Sequence, residues 1–226
     1  MTWPSAAQAD AQTDEEESYR VLRSRIDLSR LPKHSRDVTE RVICATADFD
    51  YATDLVCDEE GLAAAVAALA AGAPVVVDDV TVAAGITGSP VICKMGEPLA
   101  SRLARTAGIP VAAAAVRLAF GEVGPGAVWV VGCAPAAVTE ILSRGVEPAF
   151  VIGMPVGFVG AAEVKDALRA SAIRSVSNVS EKGGAAAAVA AFDALLRSAV
   201  AVSGSRAGRG RGAAGKAPPP DNVSAR

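Results

Sequence analysis

At 226 residues, 51% hydrophobic but only 4% aromatic, the chain carries enough apolar mass for one filled core, built from Ala, Val, Leu and Ile, and too little for a second. The net charge of −3 hides an acidic start (Asp10, Asp14, Glu15, Glu16, Glu17) and a basic end (Arg206, Arg209, Arg211, Lys216 and Arg226 against Asp221), so the middle is close to neutral, which argues against a nucleic-acid platform. Cys44, Cys57, Cys93 and Cys133 form no CxxC pair, the first residues carry no signal-peptide pattern, and no uninterrupted apolar run has the length of a membrane span; the expectation is a cytoplasmic protein with reduced thiols, no metal and no membrane contact.

In chain order, residues 1–16 are polar and acidic and are expected to stay disordered. Residues 17–203 alternate apolar runs with Ala-rich segments and form the domain. VTERVICATA (38–47) alternates and reads as a strand. EEGLAAAVAALAAG (59–72) is a helix with a Gly stop, PVVVDD (74–79) a buried strand ending in two carboxylates, and PVICK (90–94) another short strand. EPLASRLARTAG (97–108) is a helix with acid first, Arg later and Gly last. AVWVVG (127–132) leads into the helix APAAVTEILSRG, PAFVIG (148–153) into GAAEVKDALRAS, and IRSVSNV (173–179) into a long helix from Gly184 to about Val202. Such alternation predicts an α/β fold: a single doubly wound, mostly parallel sheet with helices on both faces. Ligands of these sheets bind beyond the carboxyl ends of the strands, where the loops after Gly132, Gly153 and Val179 lie. The tail 204–226 is rich in Gly, Pro and Arg and is expected to be disordered; its single RGRG reads as a solvated tail rather than an RNA contact.

The most specific local feature is the loop GMPVGFVGAAEVKDAL (153–168), where glycines at 153, 157 and 160 follow a buried strand and run into a helix start. Glycine permits positive φ and close ligand approach, and the free N–H groups of a helix start suit carboxylates. The spacing fits neither GxGxxG nor a Walker loop.

Taken together, GCAPAAVTEIL (132–142), EPAFVIGMPVGFVGAAEVK (147–165) and EKGGAAAAVAAFDALL (181–196) resemble the precorrin-8X methylmutases of cobalamin synthesis. ESYRVLR (17–23), RVICATADFDYA (41–52) and GAPVVVDDVTVAAGI (72–86) extend the resemblance over residues 17–197. It implies an isomerase that moves a methyl group from C11 to C12 of a polycarboxylated corrin precursor, without external cofactor, at a site on a homodimer interface. By the same resemblance Ser18 and Arg41 contact substrate, Arg41 by clamping an acetate or propionate arm, and Asp79, Gly157 and Lys165 stand beside it. Asp79 equally suits a helix N-cap.

The chain departs from the family pattern at its polar positions. Cys44 replaces the proton-donating histidine of the Arg-(Val/Met)-Ile-His run, and the only histidine, His34, lies ten residues earlier in a polar stretch. Pro110-Val111-Ala112 replaces Thr-Arg-Ser, and Cys133, Val164 and Ala185 replace Asn, Ser and Ser. Two functions follow: a methylmutase whose proton donor is a thiol, or a paralogue that binds a corrinoid or scaffolds a true methylmutase without turnover.

Overall fold

Runs of Val, Ile and Phe with a side-chain period of two lay down the sheet, and Ala-rich segments cover it. The computed structural model describes residues 5–211. The chain runs α1 (Ser5–Arg25), α2 (Lys33–Thr46), α3 (Tyr51–Asp54), β1 (Leu55–Cys57), α4 (Glu59–Ala70), β2 (Val75–Val77), α5 (Val80–Gly85) and β3 (Ile92–Cys93). It continues α6 (Pro98–Ala107), α7 (Val111–Val123), β4 (Val128–Val131), α8 (Pro135–Arg144), β5 (Phe150–Gly153), α9 (Ala161–Ala170), β6 (Ser175–Asn178) and α10 (Ala185–Arg211). The strands form one six-stranded sheet in the order β1-β6-β5-β4-β2-β3. All neighbours are parallel except the edge strand β1, which pairs antiparallel with β6 through Val56 and Ser177.

Alternate residues of each strand feed opposite cores. Val75, Val77, Val128, Val130, Phe150, Ile152 and Val176 point to one side, where Val38 and Val42 of α2, Leu62 of α4 and Phe192 and Leu195 of α10 close over them. Val76, Trp129, Val131 and Val151 point to the other, against Val116 of α7, Ile141 of α8 and Leu168 of α9. Each of these side chains contributes roughly 1.5–3 kcal/mol on burial, which makes both layers integral to one fold. The doubly wound, mostly parallel sheet expected from the sequence is the one present.

Two local readings change. Residues 38–46 belong to α2, with Ala47 as its left-handed cap, and not to a strand: buried Ser35, Val38, Thr39, Val42 and Ile43 follow a helical stripe that starts upstream of the alternating window. The acidic start is helical from Ser5, and Glu15 forms ion pairs with Arg41 and Arg197, a tertiary contact that composition does not reveal. The last residues of the basic tail, 212–226, lie outside the described residues. Residues Ala185–Gly204 of α10 are long and apolar enough to cross a membrane by length and composition. Ala187, Ala188, Ala191, Phe192 and Leu195 show where that apolarity goes, into the core of the sheet's first face.

Candidate active site

Three helices build one cavity. On α2, Arg41, Cys44 and Ala45 share a face by their i, i+3, i+4 spacing. On α1, Glu15 and Ser18 do the same, and on α10 so do Ala186, Val189, Ala190 and Asp193. Together these residues line a cavity of about 370 Å³. A second depression of about 300 Å³ adjoins it and shares Ser18 and Cys44 as lining, with Val21, Arg25 and Phe49 beyond them. Ser18 of α1 is therefore brought together with Arg41 and Cys44 of α2. Their meeting place is the helical layer between α1, α2 and α10, not the rim of the strands.

The cavity is charged and balanced. Arg41 Nη1 donates to Glu15 Oε1 at 2.5 Å and Nη2 to Asp193 Oδ2 at 3.5 Å. Arg197, one turn beyond Asp193 on α10, grips the same Glu15 with both nitrogens, at 2.7 and 3.0 Å. The Arg197 hydrogen bond is the largest influence holding the Glu15 carboxyl below its ordinary range, and Arg41 adds to it against the effect of burial. Cys44 is half-buried, and burial pushes its thiol up, with Glu40 adding to the effect and Arg41 opposing it. The thiol accordingly keeps its proton at neutral pH, as a group that can donate but carries no positive charge. His34 cannot stand in for it: ten residues along α2 place the two about 15 Å apart. Its backbone N–H instead donates to Glu59 at the helix start.

Helix α1 is held over the cavity by Leu22, buried in the core, and by Arg23, which donates to both oxygens of buried Glu40 at 2.9 and 2.6 Å. Val111, where the resemblance expects arginine, opens α7 and is not part of the lining around Cys44.

A second polar group sits at the strand ends. Asp79 caps α5 by accepting from Thr81 N, the structural role foreseen for it. Asp78 accepts from the N–H groups of Gly132, Cys133 and Ala134 at 2.7–3.0 Å and so ties β2 to the start of α8. Burial pushes the Asp78 carboxyl up despite those three donors. The Cys133 thiol is pushed up to about 12, by burial first and then by Asp78 and Asp79. Gly157, at φ +144°, lies in the turn before α9 with open space where a side chain would start. Its N–H donates to Glu181 O.

Lys165 is fully buried, and its ammonium donates to Asn178 Oδ1 (3.1 Å), Ser180 O (2.5 Å) and Lys182 O (2.7 Å). All three protons are used, so in this arrangement Lys165 braces the turn 178–184 and presents no free donor. Gly183 completes that turn: a Cβ there would lie 2.3 Å from Met154 O, and its φ of +148° disfavours any side chain. Asp79, Gly157 and Lys165 thus stand apart from the cavity of Ser18, Arg41 and Cys44. Among the described residues, no three of His, Cys, Asp and Glu gather where a metal ion could sit.

Glu15, Asp193 and Arg197 were not singled out from the sequence. The available signal was a charged pair at i, i+4 (Asp193, Arg197) on an Ala-rich helix that is otherwise apolar.

Fold and site define an α/β protein with an ionic, thiol-bearing cavity on one helical layer. The chain belongs to the precorrin-8X methylmutase family, whose sequence profile matches residues 15–198. It is 36% identical over 194 residues to a precorrin-8X methylmutase of Sinorhizobium, covering 80% of this chain and 92% of that one. To a cobalt-precorrin-8 methylmutase of Methanocaldococcus jannaschii it is 35% identical over 163 residues, 70% and 77% of the two chains. The crystal structure of a precorrin-8X methylmutase from Thermus thermophilus superposes with a TM-score of 0.77 at 32% identity, covering 85% of this chain and 98% of that one.

Proposed function

We propose that the protein is a precorrin-8X methylmutase of cobalamin biosynthesis, an isomerase that converts precorrin-8X to hydrogenobyrinate. The methyl group leaves C11 and bonds to C12 of the same ring, so no atoms are gained or lost and no external cofactor is required. The observation that carries this reading is the convergence of Ser18, Arg41 and Cys44 on one cavity in a chain of this family. Arg41 binds a carboxylate arm of the macrocycle, Ser18 adds a neutral hydrogen bond, and Cys44 supplies the proton that assists the shift. Relatives are named for both the metal-free and the cobalt-bearing substrate, so either form is a candidate for this cavity.

The protein works in the cytoplasm as a homodimer. Phe158 and Val159, in the loop between β5 and α9, are 95% and 88% exposed, an apolar surface suited to a partner subunit.

The thiol is the weak point of the machinery. A positioned general acid contributes roughly 10²–10⁴-fold in rate, and an imidazole titrating near pH 6.5 donates where a thiol raised by burial does so poorly. Anaerobic incubation with precorrin-8X, and separately with cobalt-precorrin-8, should give the spectral change to the rearranged corrin. Cys44→Ala should abolish it, and Cys44→His should raise the rate up to about 10²-fold. Binding of either substrate without any spectral change, in both wild type and Cys44→His, would leave a corrinoid-binding paralogue and end the enzyme reading.

A further inference from the structure

A second cation stands beside the cavity's one assigned clamp. Arg41 is 20% exposed and Arg197 58%, and both are turned onto the Glu15 carboxylate from different helices. Arg197 meets that carboxylate with two parallel N–H bonds, the geometry guanidinium groups use for free carboxylates. Glu15 itself is 30% exposed and belongs to α1, whereas Arg197 belongs to α10, which packs on β4 and β5, and Arg41 to α2, which packs on α10. The structure thus shows a carboxylate of the cavity lining seated between two arginines, Arg41 in the lining and Arg197 just outside it.

From this we infer that Arg41 and Arg197 form a two-cation carboxylate subsite, and that Glu15 is its resident occupant, displaced when a carboxylate arm of the ligand enters. The inference rests on the methylmutase reading for the identity of that ligand, but not for the subsite. Charge counting favours exchange over addition. Two cations face two anions, Glu15 and Asp193, so a further carboxylate would meet no net positive charge unless one anion left. Asp193 touches Arg41 only at 3.5 Å and is carried by the core-packed α10. Glu15 holds the better hydrogen bonds, and its departure frees both guanidinium groups at once. With Glu15 gone, Asp193 remains as a counter-ion that orients Arg41. The resident carboxylate also keeps two arginines from facing each other unpaired in the empty cavity, at the cost of competing with ligand. Because Glu15 is held below the ordinary carboxylate range, chiefly by Arg197, the competition persists at neutral pH.

The test titrates the full-length protein with hydrogenobyrinate, followed by absorbance, and in parallel with tricarballylate by calorimetry. The variants are Glu15→Gln, Arg197→Gln, the two together, and Glu16→Gln as a neighbour that loses the same charge outside the cavity. Glu15→Gln should tighten binding of both probes about tenfold, the factor carried by ~1.4 kcal/mol of charge-assisted hydrogen bonding. Arg197→Gln in the Glu15→Gln background should reverse most of that gain, and added salt should shrink it. Glu16→Gln should match wild type. Unchanged or weaker binding in Glu15→Gln, with its melting temperature intact, overturns the inference, as does an Arg197→Gln change without effect in that background. Failure of wild type and Glu15→Gln alike to bind hydrogenobyrinate, with tricarballylate following the expected pattern, counts against the corrin reading and upholds the subsite. No tricarballylate binding to Glu15→Gln removes the subsite itself.

Discussion

Replacing Lys165 with methionine isolates the brace beneath α10, because the stem keeps its volume while three donors disappear. The ammonium makes three charge-assisted hydrogen bonds in a fully buried setting, a gross loss of about 5–9 kcal/mol at roughly 1.5–3 kcal/mol each. Against that stands the relief of burying a charge. Burial holds the Lys165 ammonium down to about 8 from an ordinary 10.5, and at ~1.4 kcal/mol per pH unit the relief is on the order of 3 kcal/mol. Lys182 O keeps its bond from Asn178 Nδ2, whose other proton goes to Asp54, so Asn178 Oδ1 and Ser180 O are the acceptors left short of a donor. The net loss should be about 3 kcal/mol, which in a domain of this size lowers the melting temperature by roughly 6–12 °C. Urea unfolding followed by circular dichroism measures it directly. Because both side chains serve one turn, Asn178→Leu and the double variant should show a coupling of about 1–3 kcal/mol rather than additivity. A Lys165→Met protein within about 1 kcal/mol of wild type would refute the brace and return Lys165 to the list of substrate contacts.

Asp54 should set the acid limb of stability. Burial raises its carboxyl, but hydrogen bonds from Ser180 and Asn178 outweigh this and leave it below the ordinary 3.8. The stabilisation is therefore present above that value and lost as pH falls through the lower folded one; urea midpoints between about pH 6 and about pH 2.5 should fall for wild type and flatten for Asp54→Asn, and parallel curves would contradict the assignment. Phe158→Asp should convert the protein from dimer to monomer at micromolar concentration in sedimentation velocity without lowering its melting temperature by more than a degree or two; a wild-type monomer would count against the dimer.

The fold was legible wherever a strand is buried on both faces. Val75–Val77, Val128–Val131 and Phe150–Gly153 are continuous apolar runs because helices cover them above and below. Legibility failed at the periphery, for separate reasons. The window 38–47 alternates only because it begins inside a helix whose buried stripe starts at Ser35, and its Val, Thr and Ile content added a β-propensity that packing overrides. β1 is three residues of edge strand and carries too few positions to show a period. α1 is held by ion pairs and a few apolar contacts, so its acidity concealed it. The site divides in the same way. Ser18, Arg41 and Cys44, which line one cavity, were nominated through family likeness, because no spacing links residues of two helices that meet only in three dimensions. Arg197 was given no role by that likeness and emerged only from where its guanidinium points. Lys165, singled out beside a glycine loop, spends its protons on Asn178 Oδ1 and on the carbonyls of Ser180 and Lys182.

The cavity therefore has one stiff wall and one soft wall, and the difference follows from burial. The first turns of α10, which carry Ala186 and Val189, are fixed from behind by Gly184 N–H on Met154 O, by the close passage of Gly183 over Met154, and by the Lys165 and Asn178 network. Breaking any of these strands a buried polar group, at about 1–3 kcal/mol each. The Glu15 end of the α1 wall is held by the partly exposed ion pairs of Glu15 with Arg41 and Arg197, a class that contributes only ~0–1 kcal/mol apiece, while buried Leu22 and the Arg23 pair with buried Glu40 anchor the helix further along. A ligand that needs room will take it from the weaker wall. On the proposed reading, entry of a carboxylate at Arg41 and withdrawal of Glu15 are one motion of one helix, while α2, which presents Cys44, stays packed against α10 with Val38, Val42 and Ile43 buried. If the proposed roles hold, the adaptable part of the site is the carboxylate subsite and the rigid part the proton donor, the division that a reaction requiring an exact acid position and a loose grip on a many-armed ring would need.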